Sequence, residues 1–180
     1  LSSSSVAAIR SSTSECAPTK LTVARISTHD SRSTGTPIRY RIDLWVNLTS
    51  TDADFVVKLI DVFPDDTPVN PDTNYPMGGY QMLVRAEIMR GKFRNSFEKP
   101  APFIPNKATA IKYTMPDVAH TFKKGHKLMI QIQSSWFPLT DLNPQQYLEN
   151  INKATKADFV KEAIKVYHNS SKIILPVIKQ

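Results

Sequence analysis

The chain is 180 residues and 20.2 kDa, 41% hydrophobic and 22% charged, with net charge +7 and an isoelectric point near 9.5. That length suits one domain, with or without an extension, and suffices to bury a core without covalent staples. The single cysteine, Cys16, excludes an internal disulfide framework and a cysteine-based zinc site, and no run of 18 apolar residues exists to make a membrane-spanning helix.

Residues 1–36 are rich in Ser and Thr and hold no aromatic residue, the composition of an arm or linker. Within them only LTVARI (21–26) has the alternation of a short strand. The opening LSSSSVAAIR has neither a basic flank nor a long apolar stretch, so no intact signal peptide is expected. The compartment stays open between cytoplasmic and periplasmic or secreted. From residue 37 a domain begins. Ile38, Tyr40, Ile42, Leu44, Val46 and Leu48 alternate with polar residues and Trp45, which predicts a half-buried strand. TSTDAD (49–54) is turn chemistry. FVVKLIDVF (55–63) follows, apolar enough for a strand between two layers.

The Pro- and Asp-rich stretch 64–79 predicts a long loop. Further strands are expected over 80–89, 108–115 and 126–135, the last with Leu128, Ile130 and Ile132 on one face. The stretch 141–162 reads as helical. At the C-terminus, 163–168 and 172–178 read as a hairpin turning at Asn169, with Pro176 marking an edge or bulge. Strands without interleaved helices predict an all-β, antiparallel sandwich with one or two short helices, and the irregular spacing suits a jelly roll better than a meander. Its expected core is Tyr40, Ile42, Leu44, Val57, Leu59, Val84, Ile111, Leu128, Ile130, Ile132, Ile174 and Val177.

The glycines, at 35, 78, 79, 91 and 125, allow no G-x-S-x-G elbow for a serine nucleophile. His120 and His126 flank a Lys-rich turn and read as surface residues rather than catalytic or metal-binding ones. Asp52, Asp54, Asp61, Asp65 and Asp66 offer oxygens to a cation but lack EF-hand spacing, so they read as solvated turn carboxylates. No catalytic residue, metal or cofactor is expected. Trp136, Phe137 and Tyr75 are the candidate cleft-lining side chains, since aromatics at strand ends line sugar or peptide pockets; a core anchor at a sheet corner is the alternative for Trp136 and Phe137. The basic residues are scattered, with no run of five and no aromatic–basic interleaving, so a nucleic-acid partner is not expected despite the positive charge. Neither is a membrane partner.

Four segments carry a resemblance: TDADFVVKLIDVFPDD (51–66), GGYQMLVRAEIMRGKFR (78–94), FKKGHKLMIQIQSSWFPLTDLNP (122–144) and IILPVI (173–178). In this order they resemble the C-terminal domain of the X-Pro dipeptidyl-peptidase/cocaine esterase family of acyl hydrolases. Their common features are a D-x-D-(F/W) strand, a Tyr–Gln…Arg–Gly…Arg strand, a Gly–His strand entry and a Ser–Ser–x–(F/Y)–Pro…Asn–Pro exit. The resemblance implies a galactose-binding-like jelly roll and a non-catalytic role. It implies that the Ser–Asp–His triad lies on an α/β-hydrolase domain of the same parent chain, the expected partner, and that His126 takes the Gly–His strand-entry position rather than the triad base. A homo-oligomer is the second partner the sequence allows. The alternative function is a free-standing carbohydrate- or ligand-binding jelly roll. Residues 1–36 depart from the family pattern.

Overall fold

The computed structural model describes residues 21–22, 25–30 and 40–177. Its strands are β1 (Leu21–Thr22), β2 (Arg25–Asp30), β3 (Arg41–Leu48), β4 (Asp54–Val62), β5 (Gln81–Arg90), β6 (Thr109–Thr114), β7 (Lys127–Gln133), β8 (Ile164–Val166) and β9 (Lys172–Val177). One sheet runs β1-β7-β4-β5; the other runs β2-β9-β3-β6, with β8 also on β3. Every pairing is antiparallel except that of β2 with β9. The fold is thus an all-β sandwich. β1 and β2 come from the Ser/Thr-rich arm and pair with β7 and β9.

The alternation in β3 places Ile42, Leu44, Val46 and Leu48 inside and leaves Trp45 half-exposed on the other face. β4 is buried on both faces, as its continuous apolar run requires. Phe55, Val57 and Leu59 share the inner face of their sheet with Ile130 and Ile132 of β7 and face β3 and Ile111 across the core, whereas Val56 and Ile60 are buried on the opposite side. Tyr40, Val84 and Leu128 pack at the core's margin.

Three expectations are corrected. First, no α-helix occupies 141–162; the stretch makes 3-10 turns at Ile151–Lys153 and Lys156–Asp158, and a third lies at Gly91–Phe93. Its backbone groups are instead taken up by the sandwich, as when Tyr147 N donates to Thr51 Oγ1 at 2.8 Å, or by the two ends of the stretch itself, as when Val160 N donates to Pro144 O at 3.0 Å.

Second, β8 and β9 do not form a hairpin. Both run antiparallel to β3, β8 opposite Val46–Leu48 and β9 opposite Arg41–Asp43. They are two pieces of one interrupted strand. The turn between them keeps Trp45 satisfied: Tyr167 N donates to Trp45 O at 2.8 Å, and Trp45 N donates to Ser171 Oγ at 2.9 Å. A buried hydroxyl replaces a ladder carbonyl.

Third, β9 buries Ile173 and Leu175 rather than Ile174, because its register sets Ile173 opposite the inward-facing Ile42. The Val177 side chain lies outside the described residues, as does the rest of the N-terminal arm. Pairing of β9 with β3 ends at Ile174, two positions before Pro176, which has no N–H to donate.

Ile130→Ala should lower unfolding stability by about 2–5 kcal/mol, through lost transfer energy and the cavity left in the shared core. Urea titration checks it. A neutral substitution would contradict the burial of this side chain.

Candidate functional site

Three of the four segments that carry the family pattern, all but 173–178, converge at the corner where β4 begins and β5 ends. Asp54 and Arg90 are directly opposed across these strands. Arg90 grips the carboxylate with two N–H groups, Nε to Oδ1 at 3.0 Å and Nη2 to Oδ2 at 3.1 Å, and its Nη2 also donates to Asp141 O at 3.2 Å. Asn143 Nδ2 donates to Asp54 Oδ1 at 2.8 Å and to Asp52 Oδ2 at 3.3 Å. Asp52 Oδ1 in turn accepts from Ala53 N and Lys92 N. Lys92 is buried, and its Nζ donates to the carbonyls of Leu148 and Glu149 near the Phe93 and Tyr147 rings.

Close packing completes the corner. A Cβ on Gly91 would meet the Phe103 ring and stand 2.6 Å from Ala53 O, so only glycine fits where the chain leaves β5. Arg94 then folds back onto the carbonyls of Gly91, Ala101 and Pro102 and lies over Phe103.

The expectation of solvated turn carboxylates therefore fails for Asp52, Asp54 and Asp61, which are 3%, 1% and 1% exposed; it holds for Asp65 and Asp66. The donors that offset their burial come from segments remote in sequence, so the turn-like local composition misleads. At the other end of β4, Asp61 is hydrogen-bonded to both histidines: Oδ2 lies 2.9 Å from His120 Nε2 and Oδ1 lies 2.8 Å from His126 Nδ1. His120 and His126 are thus largely buried braces for the 115–126 connection, not surface turn residues. Among the described residues no group of three or more His, Cys, Asp or Glu is placed to hold a metal ion.

Two acids have perturbed protonation. Burial pushes the Asp52 carboxyl up to about 6, with the Asp54 charge adding to the rise and the Asn143, Ala53 and Lys92 hydrogen bonds opposing it. Burial likewise raises Glu162 to about 7, against the lowering effect of the Ser50 N–H, with Asp52 contributing repulsion. Glu162 Oε1 accepts from Ser50 N at 3.2 Å, while its Oε2 is buried without a partner among the described residues. This acid borders a cleft of about 100 Å³ between β7 and β8, at one open edge of the sandwich. A wider groove of about 480 Å³ opens between the edge strands β5 and β6, beside Glu87, Tyr113 and the stacked Phe93 and Phe97.

The expected cleft-lining aromatics are not brought together. Tyr75 packs edge-on against Tyr80, which packs on Phe63, beyond the Val62–Lys127 end of the sheet. Trp136 and Phe137 follow β7 at the opposite end, where Gln133 pairs with Val56. Trp136 is half-buried with Lys58 Nζ 4.8 Å from its ring centre, and Phe137 is exposed. The side chains that sequence reasoning left unassigned are Arg90, Lys92, Asn143 and Glu162. The first three stand inside the quoted segments, so the spacing already carried their signal; nothing in the sequence singles out Glu162.

Comparison with known proteins finds relatives over most of the chain. The family model described as X-Pro dipeptidyl-peptidase C-terminal non-catalytic domain matches residues 34–172. Cocaine esterase from Rhodococcus sp. (strain MB1 Bresler) is 27% identical over 144 residues, covering 76% of this chain and 22% of the esterase. Among solved structures, an α-amino acid ester hydrolase superposes with a TM-score of 0.67 at 40% identity, over 73% of this chain and 21% of that one. An aminopeptidase from a marine sediment archaeon, Thaumarchaeota archaeon, gives 0.68 at 39% identity, over 74% of this chain and 21% of its own. The chain spans about a fifth of the length of each of these relatives.

Two predictions follow from the corner and its acids. Arg90→Met leaves the Asp54 charge buried and half-paired, and should cost roughly 3–5 kcal/mol, read as a lowered melting temperature at neutral pH. For Glu162, a carboxyl raised in the folded state binds its proton more tightly there than in the unfolded chain. Its contribution to stability is therefore full below its unfolded value and is lost as pH rises through about 7. Glu162→Gln keeps an acceptor for Ser50 N and removes the titration, so denaturant titrations between pH 5 and pH 8 should show a smaller decline in stability for this variant than for the unsubstituted chain.

Proposed function

The chain belongs to the X-Pro dipeptidyl-peptidase C-terminal non-catalytic domains, and on that premise we propose that it is the accessory sandwich of a larger serine acyl hydrolase of the peptidase or esterase type. It packs on an α/β-hydrolase domain of the same polypeptide and helps to shape the substrate cleft. The observation that carries this reading is coverage: relatives whose names denote hydrolases align with this chain over about a fifth of their length. The family-like domain runs from residue 37, with a galactose-binding-like jelly-roll connection, and residues 1–36 form an arm that adds β1 and β2 to its two sheets.

Within that reading Trp136 and Phe137 line the cleft from one end of the sandwich, and Tyr75, at the opposite end, would line it only if the cleft ran along the sheet. The buried corner supports a positional role. Its carboxylates are held by Arg90, Asn143 and backbone N–H groups, an arrangement that fixes segments against one another.

The purified chain should therefore hydrolyse neither p-nitrophenyl esters nor X-Pro dipeptidyl amides, because acyl transfer needs an activated nucleophile and prearranged oxyanion donors. The assay is run beside the full-length parent. Turnover by this chain that one histidine or serine substitution abolishes would make it an enzyme in its own right.

A further inference from the structure

Large exposed apolar side chains gather on the loop that the corner holds. Thr140 N donates to Trp136 O at 3.1 Å, closing a turn that leaves Phe137 and Leu139 64% and 67% exposed. Leu142 is also exposed, and the bond from Val160 N to Pro144 O joins the exposed pair Phe159 and Val160 to the same stretch. Elsewhere the exposed apolar residues are spread over other loops and strands: Val69 with the edge-on pair Tyr75 and Tyr80, and Trp45, Leu83, Phe97 and Ile104. Clustered apolar exposure of this kind marks an interaction surface, where scattered exposure needs no explanation.

The loop is also immobilised before any partner arrives. Arg90 Nη2 holds the Asp141 carbonyl, Asn143 is buried against Asp52 and Asp54, and Lys92 Nζ holds the carbonyls of residues 148 and 149. A surface ordered in advance loses little entropy on docking. Its chemistry is apolar: in a chain of net charge +7, the stretch 134–144 carries Asp141 as its one charged residue.

We propose that Phe137, Leu139, Leu142, Phe159 and Val160 form the face on which this domain docks, and that its occupant is an apolar surface of the catalytic portion of the same polypeptide. This rests on the accessory-domain reading above. The occupant follows from the same coverage: about four fifths of each relative lies outside the aligned region, so a domain of this family has a covalently tethered neighbour present at high effective concentration. The buried Asp–Arg–Asn corner then has a functional purpose, which is to aim this face.

The test titrates the separately purified catalytic portion of the parent polypeptide with this chain, following binding by calorimetry and assembly by sedimentation. The variants are Phe137→Ser/Leu139→Ser on the proposed face and Tyr75→Ser/Ile104→Ser away from it. All four side chains are exposed, so both variants should melt with the parent chain. The first should bind about tenfold or more weakly, and the second should bind as the parent does. Should the first double variant melt lower, Leu139→Ser alone carries the same comparison. Binding retained by the Phe137/Leu139 variant overturns the assignment of this face and leaves the accessory role standing. No binding by the parent chain overturns the role and the face together. Self-association that the Phe137/Leu139 change abolishes and the catalytic portion does not displace makes a second copy the occupant, and overturns the proposal.

Discussion

The pairing of Asp54 with Arg90 is the contact on which the rest of this end of the molecule depends. The two residues are opposed at the last rung of the β4–β5 ladder, and Asp54 is nearly inaccessible to solvent. A buried ion pair is a poor source of net stability, since desolvation offsets most of the attraction. Its effect here is directional. Once Asp54 is ionised and enclosed, its remaining acceptor capacity must be met, and Asn143 meets it from a segment about 90 residues away in sequence. That single requirement brings the chain after β7 back across the start of β4, and Arg90 secures it again at the Asp141 carbonyl.

Other features of the corner follow from the same constraint. Asp52 shares Asn143 with Asp54, so two carboxylates lie close together, and only one of them has an arginine partner. Burial, and to a lesser degree the neighbouring Asp54 charge, pushes Asp52 towards neutrality, and Asp52 adds a small repulsion to the burial that raises Glu162 on the returning chain. Gly91 permits the approach of Phe103 and the Ala53 carbonyl that closes the corner from below. The stretch 141–162 cannot become a regular helix while so many of its groups are committed to β4, β5 and the turn before β4.

A scaffold of this kind suits a domain whose contribution is position rather than chemistry. Rigid strands carry the polar anchors, the anchors hold an irregular loop, and the loop presents large side chains outward. The opposite end of β4 repeats the principle with Asp61 holding His120 and His126 together. The two polar clusters fix both ends of the central strand, and the hydrophobic core lies between them.

The strands were legible in the amino-acid sequence because side-chain alternation is a local signal. The period-two pattern of β3, the continuous apolar run of β4 and the Ile130–Ile132 face of β7 each follow from residues within ten positions of one another. The family pattern was legible for the same reason, as short segments in a fixed order. What they are for was not, because Asp52, Asp54, Arg90 and Asn143 acquire meaning only on meeting across the fold. Local composition made the aspartates look like turn carboxylates, His120 and His126 like surface residues, and 141–162 like a helix. It also made β8 and β9 look like a hairpin, although both pair with β3 and the Ser171 hydroxyl bridges the gap between them. Periodicity and propensity act over a few residues and so can be read in the chain itself. The burial of a charge, and the distant donor that makes it tolerable, exist only in the folded molecule, and there tertiary structure alone decided the outcome.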